Sequence, residues 1–386
     1  MKTAKLGALP EWNLSDLYPG LESPEIRRDL EQADSDCVAF EQEFKGRLAP
    51  LAAGEGAGQA LAQAVKRYEA IDDRLGRLIS YASLVYAGNT TDPVRAKFYG
   101  DIQERITAAS LHLLFFTLEL NRIDDAQLEA AMRDPTLGHY RPWLEDVRKE
   151  KPYQLEDRVE ELFHEKSVTG YSAWNRLFDE TIAGLRFKVA GKSLAIEPTL
   201  NLLQDSDGTK RKAAAEALAK TFKDNLRPFA LITNTLAKDK EISDRWRNFE
   251  DVADSRHLNN RVEREVVDAL VASVRAAYPR LSYRYYRLKA AWFKKKKLPH
   301  WDRNAPLPFA ATASIAWPEA RDMVLTAYRG FSPEMAQMYQ QLYQGLATKR
   351  LSKKGEKRAT TYFAGKGKAR GARKKGASTN GAPAAG

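Results

Sequence analysis

Five histidines and one cysteine are the side chains of this 386-residue sequence best suited to metal or nucleophilic chemistry. The histidines are His112, His139, His164, His257 and His300. No two are three to five residues apart, so no pair can grip a metal from one helix face. His164-Glu165 opens like the zinc-peptidase motif His-Glu-x-x-His. That motif needs its second histidine one helical turn later, and Val168 stands there. The spacing therefore reads as a satisfied histidine on a helix. Cys37, being alone, excludes an intrachain disulfide and any Cys-pair zinc site. It fits a reducing compartment.

Other strings come near to motifs. Gly191-Lys192-Ser193 looks like the end of a phosphate-binding loop, but its first glycine should sit where Arg186 is. Such a loop must also open a helix whose amides hold the phosphate, whereas this one opens a strand. Gly54, Gly56 and Gly58 have no strand before them and read as a flexible loop. Asp205-Ser206-Asp207-Gly208 lacks the other ligands of a calcium loop and reads as a turn and helix cap. No Gly-x-Ser-x-Gly nucleophile elbow occurs. Tyr283-Arg284-Tyr285-Tyr286-Arg287, followed by Lys294 to Lys297, could touch nucleic acid. The reading preferred here is a helix with one aromatic face packed and one charged face in water.

The elements that would position these residues are mainly helices. Leu61, Val65, Tyr68, Ile71, Leu75, Leu78, Ile79 and Val85 keep helical spacing. Leu258, Val262, Val266, Leu270 and Val274 recur every fourth residue, Tyr278 continues the row, and Pro279 ends it. Thr209 to Phe222 is rich in strong helix formers, and Phe229 to Ile242 continues in that style. Ser332-Pro333 predicts an N-cap and first helical residue. One segment differs. From Leu185 to Ile196 apolar residues alternate around Ala190-Gly191-Lys192, which predicts a β-hairpin lying against helices. Pro299, Pro306 and Pro308 mark a loop.

The net charge of +11 suggests a nucleic-acid binder until its distribution is read. Residues 349–386 hold twelve Lys or Arg and one acid, Glu356, and residues 1–348 hold 50 bases and 50 acids. The basicity belongs to the tail, which is expected to be disordered and capable of weak, nonspecific polyanion binding. The N-terminus shows no signal-peptide core. The densest apolar run, Leu111 to Leu118, is far below the roughly 18–20 residues that span a bilayer. The expectation is a cytoplasmic protein with no membrane contact.

Longer strings go further. Leu9-Pro10-Glu11-Trp12-Asn13-Leu14-Ser15-Asp16-Leu17-Tyr18 resembles the opening of oligoendopeptidase F, of the M3 family of zinc peptidases. So do His164-Glu165-Lys166 running into Ser172 to Glu180, Lys238 to Ile242 with Arg245-Trp246, Ser255 to Leu258, and Trp301 to Pro306. The matches are collinear from residue 9 to about residue 336. The resemblance implies a mainly α, multi-helix architecture of the neurolysin and thimet type, with a deep channel. It also implies hydrolysis of short peptides by a zinc-bound water. In that family the zinc sits on a His-Glu-x-x-His helix, whose Glu is the general base, with a third ligand Glu further on.

This chain stops resembling the family soon after Ser332-Pro333-Glu334-Met335-Ala336, before that motif. The expected organisation is an N-terminal helical domain, 1–184, then the hairpin and helical start of the catalytic domain, 185–346, then the basic tail, 347–386. No catalytic, cofactor-binding or metal residue carries over. The expectation is the N-terminal portion of a metallopeptidase, truncated before its zinc site, inactive alone, and acting on short peptides only when completed. The alternative is a helical scaffold whose basic tail binds nucleic acid or another polyanion. Apolar faces that the missing half would cover should stand exposed.

Overall fold

A computed structural model describes residues 14–309, 315–347, 351–354 and 361–364. The chain divides into two compact units, Pro24–Ala311 and the combination of Met1–Ser23 with Thr312–Gly386.

The first unit begins with long helices, Pro24–Phe44, Ala57–Gly88 and Pro93–Leu111, joined by shorter ones at Leu114–Arg122, Asp125–Ala131 and Arg141–Lys149. Helix starts are written in the sequence. Asp92 accepts hydrogen bonds from the Val94 and Arg95 amides at 2.9 and 3.3 Å, with Pro93 as the first helical residue. Asp124 caps the Asp125–Ala131 helix in the same way.

The spacing around Leu61 holds. Leu61, Val65, Ile71, Leu75 and Leu78 are all buried. They face a nucleus of rings. Phe40 packs on Phe44, Phe115 and Phe116 at 4.9, 5.8 and 5.1 Å between centroids, and Tyr68 stacks on Phe116 at 4.9 Å. Each ring so buried contributes about 1.5–3 kcal/mol. Cys37 lies inside it, and burial, aided by the Asp34 and Asp36 carboxylates, pushes its thiol up to about 12. The native chain should therefore resist a thiol-specific maleimide at neutral pH and react once unfolded in guanidinium. Labelling as fast in the native state as in the unfolded state would contradict this.

The glycine run is not a free loop. Gly56 takes a left-handed φ of 72°, and Gly58 is buried in the first turn of the Ala57–Gly88 helix. A Cβ there would lie 2.3 Å from Asp134 Cβ and 2.6 Å from the Ala131 carbonyl oxygen. Glycine is needed for close approach, a requirement that a local sequence pattern does not reveal.

The hairpin forms where period-2 alternation predicted it. Phe187–Val189 pairs antiparallel with Lys192–Leu194 in the register Phe187↔Leu194 and Val189↔Lys192. Ala190 and Gly191 both have positive φ, 48° and 79°, as a two-residue hairpin turn of matching twist requires. Phe187 and Val189 are buried against Ala217 and Leu218 of the Gly208–Asp224 helix. Asp207 caps that helix through the Thr209 amide at 2.8 Å, and Asp205 accepts from the Asp207 amide at 2.9 Å. The Asp-rich string is thus a turn and cap.

Two readings need correction. The row from Leu258 to Tyr278 is two helices, Asp254–Asn259 and Arg264–Ala277, separated where Arg261 adopts a φ of 52°. Tyr283, Tyr285 and Tyr286, expected to include a packed face, are 38–55% exposed on the Ser282–Trp292 helix. Its buried positions are Lys289 and Ala290. The neighbouring row Val266, Leu270, Val274 and Tyr278 is 41–62% exposed as well. An apolar face read from periodicity tells which side chains align, not that something covers them.

In the second unit the helices Trp317–Phe331 and Pro333–Ala347 pack together, with Tyr328 and Tyr339 stacked at 4.4 Å. Ser332 caps the latter, accepting from the Met335 amide at 3.2 Å, as Ser-Pro predicted. Leu351–Lys354 pairs antiparallel with Thr361–Ala364, inside the stretch expected to be disordered. The rest of that stretch, like the opening string up to Asn13, lies outside the described residues. No helix among the described residues is long and apolar enough to cross a membrane.

Candidate functional site

Two of the strings that carried the resemblance, distant in sequence, meet in space. The helix Asp157–Lys166 ends in His164-Glu165-Lys166, and Tyr171–Gly184 carries Ser172 to Glu180. The helix Leu226–Trp246 carries Lys238 to Ile242 and packs against Tyr171–Gly184. With Pro93–Leu111 they enclose a cleft of about 700 Å³. Ile79, Ile106, Leu114, Leu162 and Phe163 form its apolar wall. Gln103, Ser110, His164, Ser172, Asp239 and Arg247 supply polar groups. A half-apolar cleft with convergent polar groups is the form of a ligand site.

His164 faces this cleft. Its Nε2 lies 2.8 Å from Ser110 Oγ and 3.2 Å from the Thr107 carbonyl oxygen. A carbonyl only accepts, so in the tautomer that engages it the ring nitrogen carries the proton. Nitrogen in that form cannot take a proton from Ser110. The Ser110 hydroxyl itself donates to the Thr107 carbonyl at 3.2 Å. Ser110 and His164 have the spacing of a nucleophile and its base, but in that tautomer not the chemistry.

The other histidines are dispersed. His112 Nδ1 meets the Glu41 carboxylate, His139 packs edge-on to Tyr140, and His300 packs edge-on to Trp301. His257 sits on Asp254–Asn259. No group of three or more His, Cys, Asp or Glu among the described residues could hold a metal ion. His164, with Ser110 and a carbonyl as neighbours, does not fit a zinc site either.

The floor of the cleft is an ion pair that the motif search missed. Arg247 donates to both Glu160 oxygens at 2.7 Å and to the Tyr153 carbonyl at 3.1 Å. The Leu155 amide also donates to Glu160, at 2.9 Å. Burial alone would raise the Glu160 carboxyl, but Arg247 and the Leu155 amide outweigh it and hold the carboxyl below its usual range. The pair joins segments 87 residues apart, and no local spacing announces it.

A second buried clamp lies at the Trp301 to Pro306 string. Arg211 donates to Asp302 Oδ1 from Nε and Nη2, at 3.0 and 2.7 Å. Its Nη1 donates to the Asp205 and Ser206 carbonyls at 2.7 and 2.9 Å. Lys295 pairs with the other Asp302 oxygen, and Lys289 donates to the Arg303 carbonyl at 2.8 Å. Burial pushes the Lys289 ammonium below its usual value. The clamp fixes the 299–306 segment on the hairpin-bearing helix.

Known proteins resemble this chain in sequence and in fold. The family model for oligopeptidase F matches residues 119–187, which include the His164 string. Oligopeptidase PepF of Bacillus subtilis is 24% identical over 377 residues, 95% of this chain and 52% of that protein. That span exceeds the stretch from residue 9 to about 336 in which the resemblance was read. Group B oligopeptidase PepB of Streptococcus agalactiae is 26% identical over 61% of this chain and 40% of its own length. The chain thus spans about half the length of the curated relatives it matches.

Among solved structures, oligoendopeptidase-F from Enterococcus faecium superposes with a TM-score of 0.64 at 20% identity, over 73% of this chain and 56% of that one. It shares the mainly helical fold. The resemblance read from the sequence is borne out: the chain is similar to oligoendopeptidase F in sequence and in fold.

Proposed function

We propose that this chain is the N-terminal portion of a zinc-dependent oligoendopeptidase which in intact form hydrolyses short peptides in the cytoplasm. The collinear match to PepF, over nearly all of this chain and half of that protein, carries the reading. In this reading residues 1–184 form the N-terminal helical domain and 185–346 begin the catalytic domain. The cleft beside His164 is one wall of the peptide channel. The exposed row Val266, Leu270, Val274 and Tyr278 supports the view that more protein is needed to complete the fold. The tail at 349–386 adds weak, salt-sensitive contact with polyanions on charge alone.

The chain by itself should turn over no peptide. Ser110 and His164 are locked to a carbonyl. Losing a metal's polarisation removes several kcal/mol of transition-state stabilisation, and each ~1.36 kcal/mol is about tenfold in rate. A fluorogenic peptide assay on purified chain, with added zinc and then a chelator, should show no chelator-sensitive signal. Turnover that copurifies with the chain and stops with chelator would overturn the inactivity. The family reading has its own test in the coding locus. His-Glu-x-x-His should be encoded downstream, in the same or a shifted frame, and its absence from every frame would count against the reading.

A further inference from the structure

The helix Arg264–Ala277 is amphipathic, yet nothing lies over its apolar side. Val266, Leu270, Val274 and Tyr278 form one row, Val271 stands beside it, and all five are exposed. No residue of the helix is buried. We infer that a second copy of this chain covers this stripe, the two helices running antiparallel in a symmetric dimer. The inference stands on the surface alone and does not need the peptidase reading.

The stripe calls for a partner of its own kind. A helix of 14 residues is marginal in water by itself, and most helical stability comes from packing an amphipathic face. The apolar surface also runs on past the helix end. The rings of Tyr278 and Tyr283 lie 6.2 Å apart across the turn, and Tyr283, Tyr285 and Tyr286 are exposed. Together the two segments offer more area than one helix face, toward what a stable interface needs.

Charge selects the partner and its direction. Glu263, Glu265 and Asp268 stand exposed at the N-terminal end of the helix. Arg275, Arg280, Arg284 and Arg287 stand exposed at its C-terminal end and beyond. None of these seven makes an ion pair among the described residues, whereas Arg264 is already taken by Asp254. From Ala269 to Trp301 the sequence holds nine bases and no acid, so the four arginines have no acid close by in sequence. A parallel pair would set acids against acids. An antiparallel pair lays the acidic end of each helix on the basic end of the other, and a two-fold axis makes the same match twice. A pair centred on Ala272, the middle of the row from Val266 to Tyr278, sets Asp268 within a residue of Arg275 of the second copy. It sets Glu263 and Glu265 to either side of Arg280 of the second copy. Asp268 and Arg275 lie seven residues apart and so share one flank of the stripe, the flank that meets itself in such a pair. Nucleic acid fits this face less well. Its aliphatic row gives bases no ring to stack on, and the three carboxylates repel phosphates.

The test is sedimentation equilibrium on the full chain between about 1 and 100 μM, with melting temperature followed over the same range. The mass should rise toward twice that of the chain, and the melting temperature should rise with concentration. Leu270→Glu places two carboxylates in the centre of the seam and should weaken the dimer at least about tenfold. Leu270 is 62% exposed, so the dilute melting temperature of this variant should match that of the native chain. Arg275→Glu should also weaken the dimer, by setting acid against Asp268, and adding Asp268→Arg should restore it to within about threefold of native. Nonspecific aggregation would not be rescued in this way. A monomer throughout the range would overturn the inference and leave the face to protein outside this chain. A dimer that survives Leu270→Glu would overturn it too, as would a double reversal no tighter than Arg275→Glu alone. None of these results touches the peptidase reading, which the coding locus decides.

Discussion

Asp302→Ala should destabilise the chain by about 3–5 kcal/mol, the range for breaking one partner of a buried ion pair. Asp302 is fully buried, and Arg211 is 3% exposed. With the carboxylate gone, Arg211 and Lys295 lose their shared counter-charge, and Arg211 is left buried with only the Asp205 and Ser206 carbonyls as acceptors. A guanidinium cannot neutralise itself by losing a proton, so the penalty must appear as unfolding or as local opening of the 299–306 segment. Urea denaturation of the variant should show it, and a loss under about 1 kcal/mol would mean that water reaches the clamp.

The same clamp sets an acid limit. Burial would raise the Asp302 carboxyl, but Lys295 and Arg211 outweigh burial and hold it below the ordinary 3.8; Glu160 is likewise held below 4.5. A depressed folded-state value adds stability that is fully present above the unfolded value and is lost as pH falls through the folded one. The urea midpoint should stay flat from neutral pH to about pH 5 and fall steeply below about pH 4. In Asp302→Ala that fall should be shallower.

Gly58→Ala should have the second-largest effect, a loss of about 2–4 kcal/mol. The added methyl would collide with Asp134 Cβ and the Ala131 carbonyl, neither of which is the free end of a flexible chain. Relief requires the Ala57–Gly88 helix to part from the Ala131 to Gly138 region. The collision also presses on Asp134, whose side chain caps Pro135–Gly138 by accepting from the Thr136 amide at 2.8 Å. Asp134→Ala, which removes the cap alone, should cost only about 1 kcal/mol. Thermal unfolding of the two variants side by side separates the terms. Gly56→Asn is the control: a Cβ there meets open space, and Asn tolerates its left-handed φ better than other residues.

Local order was legible in the sequence because its causes are local. Helical spacing located the Ala57–Gly88 helix, Ser332-Pro333 located a helix start, and alternation around Ala190-Gly191 located the hairpin. Each depends on residues within a few positions of one another, where side-chain period and backbone preference act directly. The family was legible for a different reason, in strings long enough to be specific when taken together.

The site was not legible, because it is made of pairs that sequence distance hides. Glu160 meets Arg247, Arg211 meets Asp302, and Gly58 meets Ala131 and Asp134 only after the helices have packed. Burial turned on tertiary structure too: Leu61 and Leu270 sit on rows of the same period, yet one is buried and the other stands 62% exposed. A period states which side chains share a face. Only packing decides whether that face meets another helix or water, because burial is a property of the partner surface as much as of the helix itself.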